Sequence, residues 1–343
     1  MNWPGLRRVD KFLLKNQLAV LAVLAFVFFA LVSPFFASAF NLQNLAREGA
    51  ELGIVCVGAT LVLLLGRLDI SVGAVLGMSA LIVILGCKAF ALPLPLLVVV
   101  VLLFGAGIGA INGVLSSVVG IPSFIATLIS LVILRGVMQW ASSTEIMRTA
   151  NSAVSTDHVF LAIGNGVFAG IPTSVLVLAV LFAATILVLR FTRIGTSIYA
   201  LGGNFQAALR AGLRVTALEI GVFAFAGFCS ALAGIFLASR LDSVTYQTGQ
   251  YLEFYVLIAV ILGGTSIAGG VGGVWGTLLG VAFIGILNNG MVMLTVDRDY
   301  QDVVIAAFLV FALVGDQYLN RRGETARRWQ LADLWTPRQA KRR

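Results

Sequence analysis

Gly66-Arg67-Leu68-Asp69-Ile70-Ser71-Val72-Gly73 interrupts an otherwise apolar stretch, with Leu52 to Leu65 on one side and Ala74 to Leu85 on the other. Hydrocarbon cannot hydrogen-bond a bare backbone or solvate Arg67 and Asp69, so the break must sit at a membrane surface or against protein. Polar residues at the junction of two membrane helices mark a pathway, a gate or a docking site. A simple helix N-cap by Asp69 or Ser71 is the competing local role.

Composition places the octapeptide in a polytopic helical membrane protein. The 343 residues are 59% hydrophobic and 11% charged, where a soluble domain carries about 25% charge. The 37 glycines are spread through the apolar segments, as close helix crossings in membrane bundles require. The net charge of +8 collects at the two termini and one internal loop, which argues against nucleic-acid binding. Cys56, Cys87 and Cys229 lack metal-like spacing and read as small core residues.

A helix needs about 20 apolar residues to cross the hydrocarbon core. That rule predicts ten spans: 17–38, 49–66, 71–90, 94–119, 122–141, 171–190, 215–238, 253–268, 274–295 and 301–319. The short links at Gly66–Gly73 and Gly263–Gly273 predict re-entrant or broken helices in both places. With the N-terminus inside, 17 of 23 basic residues fall in inner segments, five in outer ones, and Arg135 within a span. Positive-inside bias of this size predicts that both termini are cytoplasmic and that the Ser142–Gly170 loop faces outward. Three parts follow: a basic cytoplasmic segment 1–16, a permease domain 17–320 with a cytoplasmic loop 191–214, and a basic tail 321–343. That tail, with Trp329 and Trp335, suits contact with anionic membrane lipid. The apolar run after Lys15 is too long for a removed signal peptide and reads as a retained first span.

No catalytic set appears, and there is no phosphate-binding loop of the Gly-x4-Gly-Lys-Ser/Thr type. Gly263, Gly264, Gly269 and Gly270 lack the lysine of a phosphate cradle and read as a tight turn with close packing. One histidine, His158, excludes a His-rich metal site, so no metal ligands are expected. Glu51, Glu219 and Glu253 fall near span ends, where they are expected to reach water; no buried relay of a proton-coupled carrier is evident. Asn112, Asn288 and Asn289 are neutral polar residues within spans. Each either lines a path for a hydroxylated solute or joins helices.

The loop Arg190 to Val215 holds a helix signature: Asn204 as N-cap, Phe205 to Ala211 as the helix, and Gly212 just past its end. A short capped helix between spans is a knob presented to something. Ala207, Ala208 and Ala211 give it a small face suited to protein docking, flanked by Arg210 and Arg214.

The octapeptide resembles the Gly-x-x-Asp-Leu-Ser-Val-Gly signature of ribose-type permeases, the membrane subunits of ATP-binding-cassette monosaccharide importers. Thr192–Val215 resembles their coupling segment, with Gly203, Asn204, Ala207, Ala208 and Gly212 matching. Ile121-Pro122-Ser123-Phe124-Ile125-Ala126-Thr127-Leu128 and Leu262-Gly263-Gly264-Thr265-Ser266 with Gly269-Gly270 resemble two further family blocks. Departures are Ile194-Gly195-Thr196 in place of Phe-Gly-Arg, Tyr255 in place of an acid, and Val271 in place of an Arg.

The resemblance implies a type II importer-like permease fold in a bacterial inner membrane. It implies a dimer with a second permease copy or paralogue, an extracytoplasmic sugar-binding protein, and a cytoplasmic ABC ATPase docked on the coupling segment. ATP and Mg belong to that ATPase, and no cofactor is expected on this chain. Gly66, Arg67, Asp69, Ser71 and Gly73 then belong to a cytoplasmic gate, with Arg67 and Asp69 paired to each other or to a helix end. Pentoses, hexoses, deoxysugars, polyols and a furanosyl signal all stay open as cargo. The rivals are an ion-coupled secondary sugar carrier, disfavoured by the missing relay, and a non-transporting scaffold or channel.

Overall fold

The computed structural model describes residues 17–90, 92–151, 158–297, 300–308, 310 and 314. The basic segments 1–16 and 321–343, with Trp329 and Trp335, lie outside the described residues.

The chain is almost wholly helical. In order it forms α1 (Gln17–Val32), α2 (Ala39–Leu64), α3 (Val72–Lys88), α4 (Leu94–Ser117), α5 (Ser123–Ser142), α6 (Glu145–Asn151) and α7 (His158–Asn165). A small hairpin, β1 (Val167–Phe168) and β2 (Ile171–Pro172), leads into α8 (Thr173–Phe191), α9 (Arg193–Gly203) and α10 (Phe205–Arg210). Then come α11 (Val215–Leu241), α12 (Leu252–Leu262) and α13 (Val274–Met293), and residues 300–308 are again helical.

Helix starts follow local chemistry. Pro93, Pro122 and Pro172 sit at the N-caps of α4, α5 and α8, where a missing N–H costs nothing. Ser38, Thr192 and Asn204 cap α2, α9 and α10 by accepting bonds from the amides of Asn41, Gly195 and Ala207.

Every predicted run contains helix among the described residues. Among those residues five helices, α4, α5, α8, α11 and α13, are long and apolar enough to cross a membrane, while α3 and α12 are shorter apolar helices, as is the segment Leu18–Val32. The run 253–268 is the clearest correction: its helix is 11 residues long, about 16 Å, or half a hydrocarbon core. A glycine turn at Gly66, and others at Gly264 and Gly272 in the 263–273 loop, break the runs there. By contrast α2 begins ten residues before the predicted 49–66 run, because Ser38 caps it and Arg47, Glu48 and Glu51 are carried inside the helix.

Two helices organise the bundle. Each residue from Ala50 to Leu64 of α2 is buried, which marks a helix surrounded by others. Helix α11 packs along α4, α3 and α2. Its crossing with α4 is a backbone-to-backbone contact: Gly105, Gly109 and Gly113 of α4 face Gly227, Phe223 and Ile220 of α11, with no room for a Cβ. Cys56 and Cys229 are buried and Cys87 half-buried, as core residues. At the end opposite α9 and α10, Arg240 of α11 makes two bonds to Glu51, at 2.8 and 2.9 Å, and Lys88 pairs with Asp242 at 3.1 Å.

Candidate functional site

The octapeptide is held by side chains from three helices. Helix α2 ends in a Schellman motif: Gly66 takes φ +72°, its amide reaches Leu63 O at 2.8 Å and the Arg67 amide reaches Val62 O at 3.2 Å. The chain then runs without helix to Ser71, and its amides need partners from elsewhere. Ser123 Oγ accepts from the Leu68 amide at 3.1 Å, and Thr127 Oγ1 accepts from the Ile70 amide at 3.3 Å. These hydroxyls stand four residues apart on α5, one turn along a single face. The Ile121–Leu128 block thus serves as the cradle of the octapeptide.

Asp69 is buried, and its Oδ1 accepts from the Ser71 amide at 2.9 Å and from Ser71 Oγ at 2.6 Å. Asn112 Nδ2 donates to Ser71 Oγ at 3.0 Å, and Asn112 Oδ1 accepts from Ser130 Oγ. Of the two arrangements expected for Asp69, a pair with Arg67 or with a helix end, it adopts the second: its carboxylate turns inward to the Ser71 amide at the start of α3. Asn112 is fully buried and engaged at both ends of its amide, the helix-joining one of its two expected roles.

Arg67 turns the other way. Its Nε and Nη2 donate to Glu219 Oε1 of α11 at 3.1 and 2.7 Å, and its guanidinium lies 5.8 Å from the Phe205 ring centroid. Phe205 is the first residue of α10, so one side chain ties the octapeptide to α11 and to the knob helix. Glu219 is 1% exposed; its expected access to water at a span end is replaced by this ion pair. Glu51 and Glu253 are likewise buried.

Glycines bring three backbones together beside this pair. Gly270 N–H donates to Leu64 O at 2.9 Å. A Cβ on Gly202, at the end of α9, would strike Leu64 O and Gly270 N. A Cβ on Gly269 would lie 2.6 Å from Gly66 N, and one on Gly270 would lie 2.6 Å from the Cα of Gly203. Tyr199 Oη of α9 also donates to Gly272 O at 3.0 Å. Gly263 packs against Gly276 just beyond, while Gly264 takes φ +87°. The glycine-rich loop is therefore a tight turn wedged between α9 and the octapeptide.

The knob keeps its expected ends and changes its face. Asn204 Oδ1 accepts from the Ala207 amide at 3.0 Å, and Gly212 closes α10 at φ +77°. Ala208, expected on the docking face, is 4% exposed and points into the protein. Phe205, Gln206, Ala207, Leu209, Arg210 and Ala211 are the exposed residues. Helix α9 lies within the segment expected as loop, and the Thr192 cap is its local signal.

Two cavities lie farther along the helices. One, of about 360 Å³, is lined by Asn288, Gln250, Gln301, Tyr255 and the Glu51–Arg240 pair. Asn288 is half-buried there, whereas its neighbour Asn289 exchanges bonds with Asn41 at 2.8 and 3.1 Å and joins α13 to α2. Asn289 thus takes the helix-joining one of its two expected roles. Tyr255 reaches Asp302 Oδ1 at 3.4 Å.

The second cavity, of about 390 Å³, lies between α5, the 246–251 loop and the start of α12. Arg135, Gln139, Tyr246, Gln250 and Glu253 line it. Arg135 Nη1 donates to Thr248 O at 2.8 Å, while Arg135 Nη2 and Glu253 Oε2 are buried with no partner. A buried donor and a buried acceptor left unmade in one wall are unusual and mark this cavity as a candidate site.

The profile of the family described as "Branched-chain amino acid transport system / permease component" matches residues 41–313. The chain is 35% identical over 315 residues to the ribose import permease of Haemophilus influenzae, covering 92% of this chain and 97% of that protein. It is 36% identical over 304 residues to the ribose import permease of Escherichia coli K12, covering 88% and 92%. The xylose transport system permease of the same strain is 29% identical over 375 residues, covering 93% and 95%. No solved structure matches.

Proposed function

The chain belongs to the branched-chain amino acid transport system / permease component family, and on that premise we propose that it is the permease subunit of a monosaccharide ABC importer. It is a multi-pass protein of the bacterial inner membrane. Its cargo is a monosaccharide of the ribose and xylose type, carried by alternating access. Work comes from a separate cytoplasmic ATPase, which binds ATP and Mg, and cargo comes from an extracytoplasmic binding protein. The permease pairs with a second copy or paralogue and performs no covalent chemistry. In this reading α9 and α10 face the cytoplasm with both termini, as the basic residues favour.

The observation that carries the proposal is the junction of α9, the Gly66 turn and the Gly269–Gly270 loop. Backbone contacts without intervening side chains transmit displacement stiffly, because packed interfaces shift between discrete arrangements and do not deform smoothly. A push on the exposed face of α10 reaches Arg67 through Phe205 and reaches α9 directly. From there it moves the ends of α2 and α12, and with them the octapeptide that forms the cytoplasmic gate. Cargo contacts fall to the Arg135–Glu253 cavity, where a vicinal diol accepts from Arg135 and donates to Glu253. Asn288 is a second path-lining candidate.

Uptake of radiolabelled ribose and xylose into proteoliposomes containing permease, ATPase and binding protein tests the assignment. ATP-dependent accumulation of a pentose is the expected result. Accumulation driven by a proton gradient without ATP would replace it with a secondary carrier.

A further inference from the structure

An apolar groove of about 580 Å³ opens on the side of the bundle between α8, α9 and α11. Its floor is Leu61, Ile198 and Val222, and its rim is exposed at Ala184, Ala217 and Gly221. Nothing lies within 4 Å of a Cβ placed on Gly221, so the mouth is open there. The few polar atoms in the wall are already used: Thr185 Oγ1 donates to Leu181 O at 2.8 Å, and Ser197 Oγ to Arg193 O at 2.7 Å. The interior offers a hydroxylated solute nothing to bond.

Basic residues lie at one end only. Arg193 and Arg214 both line the groove, are exposed, and make no ion pair among the described residues. They flank α9 and α10, at the level where the helical bundle gives way to the coupling segment. An apolar slot along membrane helices, ending in two unpaired guanidinium groups, has the charge and polarity profile of one amphiphile.

We propose that the groove is a binding site for an anionic phospholipid, with an acyl chain between α8 and α11 and the phosphate held by Arg193 and Arg214. Because Ile198 of α9 forms part of the floor, the bound lipid stiffens the base of the coupling segment. The site therefore links membrane composition to the coupling of ATP hydrolysis. The lipid site itself needs only that the chain is embedded in a bilayer, and its effect on coupling rests on the reading of α9 and α10 as the coupling segment.

The test uses the full chain with Ala217→Trp as a reporter in the groove, in nanodiscs carrying brominated phosphatidylglycerol or brominated phosphatidylcholine. Other tryptophans are subtracted with the unsubstituted protein under the same conditions. The expected result is at least a threefold preference for phosphatidylglycerol in quenching the reporter. That preference disappears in Arg193→Gln/Arg214→Gln at unchanged membrane abundance, and falls with rising salt. Ala184→Phe, which fills the slot while keeping both arginines, lowers quenching by both lipids. Equal quenching by the two lipids, or a preference that survives the double substitution, overturns the proposal. So does a disulfide-linked dimer formed in high yield by Ala184→Cys, which would give the groove to a second copy of the chain.

Discussion

Arg67 and Glu219 meet at 2.7 Å across the junction of α2 and α11, with the arginine side chain 29% exposed and the glutamate 1% exposed. The pair is asymmetric: losing the arginine strands a buried carboxylate, whereas losing the glutamate leaves a cation that can still reach water and the Phe205 ring. Arg67→Ala is therefore expected to cost about 2–4 kcal/mol of stability and Glu219→Gln about 1 kcal/mol. The Arg67→Ala/Glu219→Gln double substitution recovers at least about 1 kcal/mol of the larger loss. Thermal unfolding of the four proteins in detergent measures this; additive losses would show that the two side chains are not coupled.

The glycine junction separates two neighbouring glycines. A Cβ at Gly202 strikes the carbonyl of Leu64, while one at Gly203 meets nothing within 4 Å. Gly202→Ala and Gly270→Ala are expected to reduce ATP-driven uptake at least tenfold; Gly203→Ala is expected to keep at least half of it. Basal ATP hydrolysis by the assembled complex should persist in Gly270→Ala, since the substitution touches transmission and not the nucleotide. If Gly202→Ala transports like the unsubstituted protein, α9 is not locked to the gate in the way the backbone contacts imply.

Asn41 and Asn289 fill each other's hydrogen-bonding capacity across α2 and α13. Asn41 Nδ2 also donates to Phe36 O at 2.8 Å; replacing one asparagine leaves the other's amide short of a partner, and replacing both leaves only the Phe36 carbonyl to be satisfied. Asn41→Leu or Asn289→Leu alone should destabilise by about 1–3 kcal/mol, and the double substitution by less than either. Melting temperatures of the three variants read this out; a double substitution worse than both singles would mean that the pair serves some purpose other than mutual satisfaction.

The α10 expectation needs a different substitution once burial is known. Filling the expected small face at Ala208 does not probe docking, because Ala208 is packed inward and Ala208→Trp disturbs the fold. That substitution should lower membrane abundance instead. Leu209 is 51% exposed on the same short helix, so Leu209→Asp should keep normal abundance while losing co-purification of the ATPase. Retained co-purification and uptake in Leu209→Asp would remove α10 from the coupling surface.

Residue chemistry explains which parts of this architecture were legible beforehand. Caps and glycine breaks are local, so Asn204, Gly212 and the breaks at Gly66 and Gly263 could be placed from neighbouring residues alone. The partners of the octapeptide could not. Ser123, Thr127, Asn112 and Glu219 lie 41 to 152 positions from it in sequence, and a hydroxyl four residues from another on a helix has many possible uses. Burial was misjudged for the same reason. Glu51 lies in mid-helix because α2 starts early, Glu219 is held by Arg67, and Glu253 opens a helix that is only half a span. Orientation of a six-residue helix was equally out of reach, since its inward face depends on α9, which went unread.

The Arg135–Glu253 cavity yields the sharpest test of where cargo passes. Both residues carry a buried polar atom with no partner, and each such atom costs stability in the empty protein. Removing the charge at Glu253 should therefore leave folding intact or improve it, while Arg135→Gln also gives up the bond to Thr248 O, so melting temperature and membrane abundance are measured beside transport. Glu253→Gln preserves side-chain size, Arg135→Gln shortens the side chain, and both keep some hydrogen bonding while removing the ionic donor or acceptor. In proteoliposomes with binding protein and ATPase, each is expected to lower the maximal rate of pentose uptake at least tenfold. The sugar concentration giving half-maximal rate should stay unchanged, because capture belongs to the binding protein. Stimulation of ATP hydrolysis by the loaded binding protein should also persist, since the coupling helices are untouched. Uptake at the unsubstituted rate in both variants would take the cavity off the path and leave the Asn288 cavity as the route.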